Sequence, residues 1–123
     1  MAFVANAQVK KTVQPEENVF VKVELEATTN EEAWNKHIRK YSVLPDGLRK
    51  KVPPGKYVVV VQFVVDKYGN MGDLKAVTDP GYGLGEFAVG IIQKYSGEWK
   101  PATQCGRQVK AYKKQPITFV VSE

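Results

Sequence analysis

The stretch from Tyr57 to Val65 constrains this chain more than any other. It reads YVVVVQFVV, apolar at every position but Gln62. Valines are stiff at χ1 and pack well on a pleated surface, so the run is a strand. It is too short to cross a bilayer as a helix. It does not alternate, so it is a strand covered on both faces or central in its sheet. Asp66-Lys67-Tyr68-Gly69-Asn70 follows at once. Gly69 and Asn70 can take positive φ, which closes a hairpin, and Leu74 to Thr78 returns as the next strand.

The flanks add alternating elements. Val19, Val21, Val23 and Leu25 alternate with Phe20, Lys22, Glu24 and Glu26, which predicts a half-buried strand over 19–26. Thr29 with Glu32 three residues on reads as a capping box. The helix it opens runs to about Tyr41, with Trp34, Ile38 and Tyr41 as one apolar stripe and Arg39 and Lys40 near the negative end of the dipole. Ser42 to Gly55 is a connection punctuated by Pro45, Pro53 and Pro54, with a helical turn over Leu48 to Val52. Beyond the glycine-rich turn at 79–85, Leu84, Phe87, Ala88, Ile91, Ile92 and Tyr95 mark a second helix. Val109 to Tyr112 and Ile117 to Val121 read as strand, interrupted by Pro116. A proline has no N–H for a ladder, so this segment belongs at a sheet edge or a bulge. The order is β-α-β-β-α-β. The fold class is α+β, two layers, with two helices packed on one face of a mostly antiparallel sheet.

A chain of 123 residues is one domain's worth. We place that domain at 19–123, preceded by a lead-in at 1–18. Within the lead-in, Ala5, Ala7 and Gln8 fit the small-residue pattern around a signal-peptidase site, which predicts a signal-peptide remnant and an exported, periplasmic protein. This favours a free-standing exported form over an excised piece of a membrane-anchored one.

Side-chain chemistry argues against an enzyme. A nucleophile needs a base and the base an orienting partner. His37 is the sole histidine and Cys105 the sole cysteine, so neither a catalytic constellation nor a Cys/His metal site can be assembled. No catalytic residue, no metal ligand and no cofactor is expected. Gly81-Tyr82-Gly83-Leu84-Gly85 sits between a strand and a helix, where anions bind. Its spacing is not the dinucleotide fingerprint, and the Lys-Ser/Thr pair of a P-loop is missing. The formal net charge of +5 comes with interspersed acids and no long basic block. The central strands lack the glycine-flanked aromatics of an RNA-binding sheet, so nucleic acid is not an expected partner.

Several ordered pieces resemble the TonB C-terminal family. Glu32-Ala33-Trp34-Asn35-Lys36 looks like its first-helix start, and Gly55 to Asn70 like its central hairpin. Gly81-Tyr82-Gly83-Leu84 with Glu86 and Ala88 looks like the opening of its second helix. Trp99-Lys100-Pro101-Ala102, Gly106 and Pro116-Ile117-Thr118-Phe119 look like its closing segment. The resemblance implies a non-enzymatic periplasmic binding module. Its best-known members carry inner-membrane energy to outer-membrane transporters by adding an extended transporter peptide, the TonB box, to a sheet edge. It therefore implies such a peptide, or another envelope protein, as partner of Ile117, Thr118, Phe119, Val120 and Val121, flanked by Leu44 and Pro45. The family usually has Tyr-Pro where this chain has Leu44-Pro45. Some relatives bind peptidoglycan or dimerise, so the alternative is a structural envelope protein that self-pairs or binds peptidoglycan. No membrane span is expected in this chain.

Overall fold

The computed structural model describes residues 19–122. The lead-in and its signal-like residues lie outside that range. Two short strands open the fold, β1 (Val19–Phe20) and β2 (Thr28–Thr29). Helices α1 (Glu31–Tyr41) and α2 (Asp46–Arg49) follow, then the hairpin of β3 (Gly55–Val65) and β4 (Met71–Thr78). Helix α3 (Leu84–Gln93) leads to β5 (Trp99–Lys100), β6 (Ala102–Gln104) and the long β7 (Arg107–Val121). The main sheet has the order β1-β7-β3-β4, with β6 also paired to β7, and β2 and β5 form a separate small ribbon. The class is α+β as the periodicities predict, antiparallel except where β1 runs parallel to β7.

The two central strands carry the fold. All 11 residues of β3 pair with β7, from Gly55 opposite Val121 to Val65 opposite Ala111, without a register shift. The β3–β4 ladder, in contrast, shifts twice, between Val60 and Val61 and between Gln62 and Val64. Odd-numbered residues of β3 and β7 face the helices. Val59, Val61, Phe63, Val65, Ile117 and Phe119 are all buried in one cluster with Leu84, Ala88, Ile91 and Ile92 of α3 and Trp34 of α1. The hairpin closes as expected, with Asp66 Oδ1 accepting the N–H groups of Tyr68 and Asn70.

Three expectations need correction. The strand predicted over 19–26 exists only at Val19–Phe20; Val21 and Leu25 are exposed, and Leu25 makes a lone bridge to Thr103. The alternation loses because the chain must leave β7 to reach the β2–β5 ribbon. On the way Glu26 pairs with Lys113 at 3.2 Å and Ala27 is buried. The capping box is likewise not formed. Asn30 is the N-cap, its Oδ1 accepting from the Ala33 N–H at 2.9 Å. The Thr29 hydroxyl is drawn into the core side of the ribbon instead, donating to the Glu98 carbonyl at 2.7 Å and accepting from the Tyr95 hydroxyl at 2.6 Å. Finally, Pro116 does not interrupt anything: β7 runs straight through it.

Trp34, Phe63, Tyr95 and Trp99 form an aromatic knot that joins α1, β3 and β5, with ring centroids 4.7 Å apart for Trp34 and Tyr95 and 5.2 Å for Trp34 and Trp99. Tilted and edge-on contacts of this kind add to the area buried. The two indoles differ in one respect. Trp34 Nε1 donates to Gln115 Oε1 at 2.8 Å, whereas Trp99 Nε1 is buried with no hydrogen-bond partner among the described residues. His37 closes the helix layer, its Nε2 2.7 Å from the Ile91 carbonyl and its ring against Tyr41 and Tyr95. Its place is between helices, at the edge of the core.

Two stability predictions follow from this packing. Trp34→Phe strands a partly buried Gln115 acceptor while Trp99→Phe removes an orphaned donor, so urea titration should find W34F the less stable by about 1 kcal/mol. Gly90 lies inside α3, and a Cβ there would meet nothing within 4 Å. Gly90→Ala should therefore stabilise the domain by about 0.5–1 kcal/mol in the same assay.

Candidate partner-binding site

Two edges bound the main sheet. One is β4, and the other is the outer side of β7. On that outer side β1 pairs only with Lys110 and Ala111. From Tyr112 to Val121, among the described residues, β7 pairs with β3 alone. The outer side of the final strand therefore carries no ladder over that range, although the 21–29 segment lies beside its first part, with Glu26 3.2 Å from Lys113 and Ala27 to Thr29 near Lys113–Gln115.

Pro116 tells which backbone groups the open side presents. It stands opposite Val60 in an unshifted ladder, yet it has no N–H to give. It must then occupy a position whose N–H would point away from β3. In an antiparallel strand the N–H and C=O of one residue point the same way and alternate along the chain. The outward groups are thus those of Tyr112, Lys114, Thr118 and Val120, plus the carbonyl of Pro116. Lys110, the residue paired with Val19 of β1, falls in the same phase.

The expected site residues divide accordingly. Ile117 and Phe119 are 1% exposed, and Val121 is buried beside them, so their side chains belong to the core. Their backbone groups are committed to β3. Thr118 and Val120 face outward in both senses, and Val120 is 73% exposed. Leu44 is buried in the same core cluster as Ile117 and Phe119, and Pro45 is the N-cap residue of α2. Sequence reasoning missed Tyr112, Lys114 and the Pro116 carbonyl as outward groups. The signal was present in Pro116 itself, whose parity fixes that of its neighbours.

The alternative sites carry less. The glycine-rich loop takes positive φ at Gly81, Tyr82 and Gly83 and leads into α3, but its anion position is filled from within. The Asp79 carboxylate accepts the Gly81 N–H at 2.9 Å, and a Cβ on Gly85 would collide with it. Cys105 is exposed in the β6–β7 turn, where it has φ 53°. Among the described residues no group of His, Cys, Asp and Glu is placed to hold a metal ion.

The β3–β4 hairpin, α3 and the closing strand named above are also the parts that a family model recognises. A model described as Gram-negative bacterial TonB protein C-terminal matches residues 57–121, more than half of the chain. The chain belongs to the TonB C-terminal family. Its central hairpin from Tyr57 on, its second helix and its closing strand lie within the match, and the first-helix piece lies before it. No curated protein matches the chain. TonB C-terminal domains are non-enzymatic protein-interaction modules of the periplasm. No helix among the described residues is long and apolar enough to cross a membrane.

The parity of β7 can be checked by proline substitution. Thr118→Pro removes an N–H that β3 does not use and should cost on the order of 1 kcal/mol. Ile117→Pro deletes a ladder bond and a core side chain and should cost about 3 kcal/mol or more. Equal losses in chemical denaturation would show the assignment to be wrong.

Proposed function

We propose that this TonB-family domain is a periplasmic docking module, one that takes an extended peptide of an outer-membrane transporter, or of another envelope protein, as an extra strand on the Tyr112–Val121 side of β7. The observation that carries this reading is the open length of that edge, beside a β1 that stops at Ala111. A strand added there gains main-chain hydrogen bonds at Tyr112, Lys114, Thr118 and Val120; the Pro116 carbonyl between them already accepts from the Gln115 side-chain amide at 2.8 Å. These supply affinity with little dependence on partner sequence. Alternate partner side chains then supply register, beside Thr118 and Val120 on the exposed face and beside α1 on the other.

The module needs no catalytic group, cofactor or metal for this role. Its domain spans 19–123, and the signal-like residues ahead of it support export. Self-pairing through the same edge would use the same outward groups, so a second copy competes with the peptide for them.

Amide exchange followed by NMR tests the reading residue by residue. Adding a TonB-box-like peptide should slow exchange at Tyr112, Lys114, Thr118 and Val120. The amides of Lys113, Gln115, Ile117 and Phe119, already bonded to β3, should change little. No change at the outward amides with a saturating peptide would refute strand addition at this edge. Thr118→Pro should abolish the protection and the binding together.

A further inference from the structure

Between Phe20, which pairs with β7, and Ala27, which is sealed in the core, lie the residues Val21 to Glu26, and none of them is buried. We propose that this segment is a strap beside the first half of the docking edge, and that it swings aside when a partner strand zips onto β7 from the Val121 end. The strap rests on the strand-addition reading above and goes beyond it, because it divides the edge into a gated half and a free half.

Position comes first. Val21, Lys22, Val23 and Glu26 face Ala111 to Lys114 across a hollow of about 360 Å3. That β7 wall includes residues of both side-chain phases, so the hollow lies at the strand edge itself. Among the described residues none of Val21 to Glu26 pairs its backbone with β7. The strap therefore stands beside the outward N–H groups of Tyr112 and Lys114 without satisfying them. A foreign strand that reaches those groups has to enter the hollow. The wall ends at Lys114, and Thr118 and Val120 are exposed beyond it. Ala27 to Thr29 stay in place, since they border Lys113–Gln115 from the helix side, in company with Trp34 and Phe63.

The strap is held lightly. Leu25 is bridged to Thr103, its N–H donating at 3.2 Å and its carbonyl accepting at 2.9 Å. Glu24 accepts the Cys105 N–H at 2.8 Å, and Glu26 meets Lys113 at 3.2 Å. Glu24 and Glu26 are exposed, where an ion pair or hydrogen bond contributes little. Val21 and Leu25 are exposed as well, and Val23 alone packs, half-buried, against the core. Slack completes the case. Extended, the chain from Phe20 to Ala27 reaches about 23 Å. Phe20 stands opposite Ala111, and Ala27 borders a hollow whose β7 side ends at Gln115, a run of about 13 Å along β7. The excess of about 10 Å lets the strap bow outward while both anchors hold.

Amide exchange and titration calorimetry with a TonB-box-like peptide test this on the full chain. The peptide should slow exchange at Tyr112, Lys114, Thr118 and Val120, and at the same time speed it at Leu25 and Thr103, whose mutual bonds the moving strap breaks. A ligand that only adds contacts would speed exchange nowhere. Glu26→Ala changes an exposed side chain, frees the strap from Lys113 and should tighten binding about two- to fivefold. Deleting Lys22 and Val23 removes the slack. It should weaken binding about tenfold and confine protection to Thr118 and Val120. Inserting two glycines after Lys22 is the converse variant, and should tighten binding even where the deletion does not fold. Protection of all four outward amides with unchanged exchange at Leu25 and Thr103, and wild-type affinity in Glu26→Ala and the insertion, would overturn the strap and leave strand addition standing. Protection at none of the four, in the wild type and in Glu26→Ala alike, would overturn both.

Discussion

The unshifted ladder between β3 and β7 is the constraint on which the rest of the structure depends. It joins the one strand that the hairpin makes central to the one strand that ends the chain. Because the register never slips, the helix-facing residues of both strands stay in phase over their whole common length, and one cluster forms rather than two. The same lack of slippage makes Pro116 informative. A single bulge between Ile117 and Gln115 would have let the proline turn either way. Without one, its missing N–H must face outward, and the donors on each side of it inherit their direction from that fact.

Twist has to be absorbed somewhere, and it is absorbed in β4. Both register shifts of the hairpin lie there, on the side away from β7. Bulges raise local twist and bend the strand that carries them. Placed on β4 they spoil one border of the sheet as a template, while α3 packs against that strand. The border at β7 keeps a regular backbone. The division is consistent with one edge closed to foreign strands and one kept regular.

Much of this was legible in the sequence because it was written in local chemistry. The valine run, the Asp66–Asn70 turn and the stripes of α1 and α3 each report on their own segment. The errors share a different cause. Val19 to Glu26 alternates well, yet a strand needs a partner, and the chain is pulled off β7 by the distant pairing of Thr28–Thr29 with Trp99–Lys100. Thr29 is a good cap by type, but Tyr95 and Glu98 outcompete the helix for its hydroxyl. The site was legible in part. That the closing strand has a free side could be read, since an edge is where proline is tolerated. Which of its residues are core and which are outward needed the register with β3, a relation between positions far apart in the chain that no local window contains.

An open edge is also a hazard, and the distribution of its guards bears on function. Lysines and proline are the usual protection against indiscriminate edge-to-edge pairing. Here Lys113, Lys114 and Pro116 crowd the first half of the exposed length, and no lysine or proline stands among Ile117 to Val121. A protein that needed only to stay apart from its neighbours would gain by placing a charge at Val120, which is 73% exposed and costs nothing in the core to replace. The apolar residue there is thus better explained by something that covers it than by solubility.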